Sequence, residues 1–158
     1  MRPIDRIDSE IIRLLQNNAR LSNKELAAAV GIAPSTCLER VRRLIEERIL
    51  LGFHAEVAPK ALGIGIQAMI AIRLSRHAKS FVDEFRAFAT DLPEVLAVYH
   101  MAGANDFLIH VAVRDADGLR NLVVTAFVDR PEVDHLETAL IFEHVSSPEL
   151  PVYVELEE

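Results

Sequence analysis

The sequence lacks several features that mark common classes of protein. Cys37 is the single cysteine among 158 residues, so no disulfide can form within the chain, and a reducing cytoplasm is the expected compartment. No apolar run reaches the roughly 18 residues that a membrane-spanning helix needs, so we expect no membrane partner. Metal-ligand motifs, a phosphate-binding loop and a nucleophile elbow are also missing. We therefore expect neither an enzyme nor a cofactor.

The histidines give no metal site either. His100 and His110 are predicted on paired strands, where a two-residue turn at Ala104-Asn105 would place their side chains on opposite faces of the sheet. The other histidines are scattered along the chain, which is typical of surface or edge positions. We therefore expect no bound metal.

Charge is distributed unevenly along the chain. The net charge is −7, but residues 1–53 carry a net +2 and residues 54–158 a net −9. DNA affinity depends on local cations that displace counterions from phosphates, not on the global sum. The acidic part should repel DNA and restrict contact to one end of the molecule, although so small a positive excess does not by itself establish DNA binding.

Two short helices are predicted at the start of the chain. The first has an apolar face formed by Ile7, Ile11, Leu14 and Leu15. Asp5 or Asp8 can cap its start, because a carboxylate accepts hydrogen bonds from the free backbone N–H groups there. Ser22 and Glu25 form a capping box at the start of the second helix, and Gly31 is placed to end it.

A longer basic helix follows after a turn of about three residues. Pro34 suits its first position, whereas Ala33 is a poor cap because it has no side-chain acceptor. Its inward face is formed by Cys37, Val41 and Leu44, which predicts a buried thiol. A short helix, a turn containing glycine and a longer basic helix form the helix-turn-helix arrangement, whose second helix enters the major groove.

This arrangement predicts which residues contact DNA. The residues expected to meet base edges are Ser35, Thr36, Glu39 and Arg40. The residues expected to meet phosphates are Asn23, Lys24, Arg42 and Arg43. The alternative is a small helical bundle with ordinary solvated arginines, and the pattern alone leaves it open.

The remainder of the chain alternates between strand and helix periodicity. The predicted order is βαββαβ, the ferredoxin-like split arrangement. We place the boundary near residues 64 and 65. Residues 1–64 then hold a winged-helix-like helix-turn-helix domain and a linker strand, and residues 65–158 hold the ferredoxin-like domain. The expected fold class is α+β.

Both faces of the predicted sheet are apolar. Along one strand Ile70 and Ile72 alternate with Met69 and Ala71, and the strand from Phe107 to Val113 is also apolar on both sides. A sheet of this type carries its helices on one face, so the second face must be buried by another chain. We therefore expect a homodimer or a larger assembly through this domain.

Together these features resemble the Lrp/AsnC family, also called feast/famine regulators, over nearly the full length. In the first domain the resemblance is carried by Ile7-Asp8, residues 21–27, Val30-Gly31, Pro34-Ser35, residues 37–44, residues 49–52 and residues 59–63. In the second domain it is carried by residues 103–107, which are similar to the family's Gly-x-x-Asp turn, and by Pro131 and Thr138.

The resemblance implies a cytoplasmic, nucleoid-associated regulator that binds specific sequences of double-stranded DNA. Members dimerise through the βαββαβ domain and often assemble into octamers or hexadecamers. Many bind a free amino acid between neighbouring dimers, which alters assembly or DNA affinity. The family pattern places this effector at Tyr99, His100, Met101, Gly103, Ala104, Asn105, Asp106, Thr138, Ala139, Leu140 and Ile141.

The chemistry of those residues fits an amino acid. Backbone N–H groups of the glycine turn and the Thr138 hydroxyl can hold a carboxylate, and Asp106 can hold an ammonium group. The alternative is that Asp106 only completes a hairpin turn and that Thr138 is an ordinary strand residue. A second alternative for the whole protein is an architectural role, in which it organises DNA with little response to any effector.

Overall fold

The computed structural model describes residues 4–76 and 78–154. The chain divides into two units. The first, here called the N-terminal unit, comprises Met1–Glu56 and Val145–Glu158, and the second, here called the sheet unit, is Val57–His144. The functional division into residues 1–64 and 65–158 stays a prediction, and the segment after residue 144 groups with the N-terminal unit.

Three helices make up most of the N-terminal unit. They are α1 (Arg6–Asn17), α2 (Asn23–Val30) and α3 (Pro34–Glu46). Asp5 caps α1 by accepting the N–H of Asp8 at 2.8 Å, and Ser22 and Glu25 form the predicted capping box on α2. Gly31 ends α2 in the left-handed conformation, with φ of 71°. The helix-turn-helix arrangement is therefore confirmed.

The start of α3 and the core beneath it follow the sequence. Ala33 has the extended backbone of a cap residue but makes no side-chain cap bond, and Pro34 is the first helical residue. The buried core consists of Ile11, Leu15, Leu26, Ala27, Cys37 and Leu44. Burial raises the pKa of the Cys37 thiol above its ordinary value, so the thiol is protonated and unreactive at neutral pH.

The segment after residue 144 packs against α1. The Leu150 N–H donates to the Gln16 side-chain oxygen at 2.9 Å, and the Glu149 carboxylate accepts from Asn17. Arg13 lies 3.6 Å from the same carboxylate. These contacts extend the N-terminal unit beyond its three helices.

Residues 51–58 form neither a helix nor a strand, whereas the sequence predicts a linker strand there. Leu51, Phe53 and Val57 in this segment are exposed. A strand needs a neighbour to accept and donate its backbone hydrogen bonds, and this segment has none within the described chain. A short 3₁₀ turn, Pro59–Leu62, then leads into the sheet.

The sheet unit has the predicted βαββαβ order. Its elements are β1 (Ile66–Leu74), α4 (Lys79–Asp91), β2 (Val95–His100), β3 (Phe107–Val113), α5 (Ala116–Leu122, continuing as a π-helical turn over Val123–Val128) and β4 (Val133–Leu140). The strands lie in the order β2-β3-β1-β4, and all neighbours are antiparallel. The ferredoxin-like α+β fold is therefore confirmed.

One face of this sheet is covered by α4 and α5. Phe85 of α4 lies at the centre, with its ring 5.0 Å from Phe107 of β3 and 6.4 Å from Phe127. Ile70, Ile72 and Ile109 alternate along the strands and point into the same core. Burying these aromatic and branched side chains supplies most of the unit's stability.

The opposite face of the sheet, here called the open face, is not covered by either helix of the sheet unit within the described residues. Met69, Ala71 and Leu108 on this face are only partly buried. His110 is nearly buried, and its Nε2 lies 2.8 Å from the Gln67 side-chain oxygen. The open face therefore presents apolar side chains that this unit does not cover, as the sequence predicts.

The hairpin between β2 and β3 is longer than the predicted two-residue turn. The strands end at His100 and resume at Phe107, and the Met101 N–H donates to the Asp106 carbonyl at 2.8 Å. A glycine with φ of 148° at residue 103 permits the wider loop. His100 stacks on Phe107, whereas His110 faces the open side, so the prediction of opposite faces is confirmed although the turn that motivated it is wrong.

Candidate nucleic-acid interface and effector site

The start of α3 presents polar side chains to solvent. Ser35, Thr36, Glu39 and Arg42 are all exposed, and Lys24 on α2 is exposed as well. The opposite side of α3 buries Cys37 and Leu44 against α1 and α2. The helix is therefore anchored by one face and offers the other, as a major-groove reading helix requires.

Arg40 and Arg43 lie elsewhere on α3 and have acidic partners. The Arg40 guanidinium donates to Asp5 at 2.6 Å and to Asp8 at 2.8 Å. Arg43 donates to the second carboxylate oxygen of Asp8 at 2.5 Å. The Arg40 and Arg43 side chains are 21% and 25% exposed, and Asp8 only 1%. Their predicted DNA contacts stay a prediction, and those contacts would require each guanidinium to leave Asp8.

The pKa values at this cluster follow from the ion pairs. Burial acts to raise the pKa of Asp5, but the Asp8 N–H and the Arg40 guanidinium outweigh it and hold the pKa below its ordinary value. The hydrogen bond to Asp5 and the pairing with Asp8 raise the pKa of Arg40 against the opposing effect of burial. Both partners are therefore charged at neutral pH.

Asn23 ties the two helices of the motif together. Its side-chain N–H donates to the Pro34 carbonyl at 2.7 Å, which links the first residue of α2 to the first residue of α3. Its side-chain oxygen is buried and has no hydrogen-bond partner within residues 4–76 and 78–154. The predicted phosphate contact of Asn23 stays a prediction, because the amide is already used to hold α3 in place.

Asp8 is predicted from the sequence as a possible cap, but in the structure it is a buried partner of two arginines. Asp8, Ile11 and Leu15 recur at i, i+3 and i+7, and all three are buried. A carboxylate within an apolar helix face is seldom buried unless it is paired. This position was therefore a signal that a cation from another element meets Asp8.

The predicted effector loop is held against the end of β1. The Asp106 carboxylate accepts the Leu74 N–H at 2.7 Å, and the Asp106 N–H donates to the Ile72 carbonyl at 2.9 Å. Met101, Gly103 and Ala104 remain exposed, and Asn105 is partly buried. The loop is thus fixed at one end and offers backbone groups to solvent at the other.

The predicted effector residues on β4 lie far from that loop. Leu140 pairs with Ala68, whereas Asp106 bonds to Ile72, and the two strands concerned flank β1 on opposite sides. Four residues along β1 and two strand spacings across it separate them by about 16 Å. Within one chain the structure therefore does not bring the two groups together.

The faces of the sheet divide the predicted set further. Tyr99 and Ala139 belong to the open face by register, and Ile141 follows with its N–H bonded to Gln67 at 2.9 Å. Thr138 and Leu140 point to the helix side but are exposed at the edge strand β4. A single small molecule that contacted both the loop after β2 and the predicted residues on β4 would therefore take them from different copies of the chain.

Two negative observations apply to residues 4–76 and 78–154. No helix there combines the length and apolarity needed to cross a bilayer. In the same ranges, no three His, Cys, Asp or Glu side chains are grouped as they would be around a metal ion.

Two family models match the chain. An AsnC-type helix-turn-helix domain matches residues 4–45, and an Lrp/AsnC ligand binding domain matches residues 67–150. The first match covers α1, α2 and most of α3, and the second covers the sheet and its two helices.

Relatives and solved structures agree with these matches. The chain is 44% identical to the HTH-type transcriptional regulator AldR of Mycolicibacterium smegmatis, over 91% of this chain and 84% of that protein. It is 33% identical to the leucine-responsive regulatory protein of Salmonella typhimurium, over 90% and 87%. A transcriptional regulator from Neisseria meningitidis, solved in complex with L-Met, superposes with a TM-score of 0.83 at 28% identity, over 91% and 93% of the two chains.

Proposed function

Because the chain belongs to the Lrp/AsnC family of transcription regulators, we propose that it reads duplex DNA with α3 and responds to a free amino acid through its sheet unit. It is a DNA-binding regulator modulated by an effector, and not an enzyme. The finer assignment has DNA binding in residues 1–64 and assembly and sensing in residues 65–158. The protein acts in the cytoplasm, on the nucleoid.

The exposed face of α3 supports the DNA-reading part of the proposal. Ser35, Thr36 and Glu39 occupy its first two turns, where an inserted helix meets base edges, and Arg42 is placed to meet a phosphate. Arg42 has no ion-pair partner within the described residues, so its charge is available for a phosphate.

The experiment compares Arg42→Gln with Arg86→Gln, which removes the same charge from an exposed position on α4. A duplex is first selected by the wild-type chain from a randomised pool, and its affinity is then measured at several salt concentrations. Loss of one phosphate contact should lower the slope of log K against log salt by about 0.9 for Arg42→Gln. Equal slopes for both variants would refute this use of α3.

The open face supports a homodimer formed by two copies of the sheet unit. Met69, Ala71 and Leu108 form the uncovered apolar surface, and a second identical face is its natural complement. Met69→Glu should convert the dimer to a monomer in sedimentation velocity runs, whereas Ala87→Glu on exposed α4 should leave it intact. A wild-type monomer at micromolar concentration would refute the dimer. Larger assemblies, up to the octamer, would then build on dimers.

The effector part of the proposal places an amino acid between neighbouring dimers. Exposed backbone at Gly103 and the Thr138 hydroxyl would hold the carboxylate, and Asp106 would accept the ammonium group. Two observations support this: the loop and β4 lie on opposite sides of β1 within one chain, and the Neisseria meningitidis neighbour was solved with L-Met.

Calorimetry of the full chain against each of the twenty amino acids tests the effector. A single preferred ligand that changes sedimentation or DNA affinity supports the sensor, and Thr138→Val should weaken it more than Thr125→Val on α5. Tight DNA binding that none of the twenty amino acids changes would favour the architectural alternative.

A further inference from the structure

Asp8 is a buried anion in the N-terminal unit, and its two oxygens serve two different arginines of α3. Its side chain is 1% exposed. One oxygen accepts from Arg40 at 2.8 Å and the other from Arg43 at 2.5 Å. Asp5 adds a second acceptor for Arg40 at 2.6 Å, and its other oxygen caps α1 at the Asp8 N–H. Two cations of the reading helix are thus held by two anions at the start of α1.

This pairing changes the charge that α3 offers to DNA. The sequence alone gives the helix three arginines, at positions 40, 42 and 43. With Arg40 and Arg43 neutralised by the aspartates, Arg42 is the arginine of α3 that remains without a carboxylate partner in the described chain. Each arginine that met a phosphate would add sequence-independent affinity, because phosphates are the same at every base pair.

A phosphate would compete poorly for these two guanidinium groups. Asp8 is fixed by the packing of α1 and is almost excluded from water, so its interactions are little screened. A phosphate that captured either arginine would leave one oxygen of the buried Asp8 carboxylate without its partner, which is costly. The arginines therefore stay with α1 when the helix meets DNA.

Stability alone does not account for the cluster. Replacing a buried ion pair with apolar residues of similar volume is often neutral or stabilising, so such pairs are weak evidence of a contribution to folding energy. A better-supported use of buried charge is to fix one arrangement of packed elements. Here the fixed arrangement is the orientation of α3 together with the withdrawal of two cations from its DNA-facing side.

We propose that Asp8 is a specificity-determining positioning residue, which holds Arg40 and Arg43 on the α1 side of α3 and so limits binding to duplexes of arbitrary sequence. This inference rests on the proposed use of α3 as the reading helix. Asp8 itself touches no DNA. Sequence choice is then left to the exposed side chains Ser35, Thr36 and Glu39.

The first test is Asp8→Asn, which keeps the shape of the side chain and removes its charge. We expect tighter binding to a random-sequence duplex, with the slope of log K against log salt steeper by about 0.9, since Arg43 loses its carboxylate partner while Arg40 keeps Asp5. The affinity ratio between the selected duplex and the random one should fall. If Asp8 had only a structural role, Asp8→Asn would weaken binding to both duplexes and would not steepen the salt slope for either.

The matched control is Glu10→Gln on the same helix. It raises the net charge by the same amount and removes one carboxylate partner of Arg13, which lies on α1 and not on α3. We expect no change in the slope. Equal slopes for folded Asp8→Asn and Glu10→Gln would overturn the proposal, because global charge would then explain any gain.

A triple variant with uncharged side chains at positions 8, 40 and 43 keeps the proposal testable if Asp8→Asn does not fold. Asp8→Asn combined with Arg40→Gln and Arg43→Gln leaves neither an unpaired arginine nor a buried charge at position 8, and only the partly exposed Asp5 loses its arginine. We expect the wild-type salt slope, because these arginines do not meet phosphates. A slope lower by about 2 would show that they do and would overturn the proposal. Failure of the underlying function looks different: the wild-type chain would itself show no preference for its selected duplex.

Discussion

The uncapped start of α3 allows a sharp test of where the reading helix begins. Ala33 has φ of −67° and ψ of 144°, the extended conformation of a cap residue, and it is exposed. In Ala33→Ser the new hydroxyl could accept the Thr36 N–H, which is one of the free donors of the first turn. The change adds one hydrogen bond and buries nothing.

The size of the effect follows from known caps. A serine cap is worth about 1 kcal/mol over alanine, and 1 kcal/mol shifts the melting temperature of a 60–100-residue domain by about 4–8 °C. Scanning calorimetry of the full chain should therefore show the transition of the N-terminal unit move upward by roughly that amount.

The chain supplies two controls for this experiment. Ala78 caps α4 with nearly the same backbone, φ of −65° and ψ of 139°, and also lacks a side-chain bond. Ala78→Ser should raise the transition of the sheet unit instead. Ala28→Ser, at an exposed interior position of α2, should lower stability by about 0.5 kcal/mol, because serine is the poorer helix former. A gain for Ala78→Ser without one for Ala33→Ser would refute the placement of the α3 start.

Three further predictions concern the N-terminal unit. Because the folded state lowers the pKa of Asp5, its ion pair should add about 1 kcal/mol at pH 7, and this advantage over Asp5→Asn, measured by urea unfolding, should disappear as the pH falls below about 3.8. Equal pH profiles for the two proteins would contradict the pairing. The raised pKa and burial of Cys37 should leave the native chain unreactive toward a thiol reagent at pH 7, with full reaction in denaturant; rapid native labelling would be inconsistent with the core. Gly31→Ala should cost about 1 kcal/mol in urea unfolding from its left-handed backbone alone, since an added Cβ meets no atom within 4 Å, and a much larger loss would reveal a steric role.

Local signals in the sequence were sufficient for most of the fold. The capping box at Ser22, the glycine at residue 31 and the proline at residue 34 each act within one helical turn, so they identified the helix boundaries. The alternation along β1 and β3 revealed two apolar faces. Short-range periodicity was enough there, because successive side chains of a strand point to opposite faces of the sheet, so the sequence itself shows which residues share a face.

The pairings that the sequence did not reveal join distant parts of the chain. Asp8 contacts Arg40 and Arg43, which lie more than 30 residues further along the chain. The sequence pattern of an arginine on a helix is the same whether its side chain faces DNA or a carboxylate. The length of the β2–β3 hairpin depends on how Asp106 docks on β1, which no local turn pattern specifies. The contact of Leu150 with Gln16 is equally non-local.

The separation of Asp106 from Leu140 along the sheet has a thermodynamic consequence for any metabolite that needs both. Such a molecule would be shared by two polypeptides, so its half-saturation point would shift with the amount of protein present. At a low concentration of the regulator its sensitivity to that metabolite would be lost, whereas at a high concentration of the regulator the same amount of metabolite would occupy most sites. Expression level would then tune the response as directly as the metabolite itself.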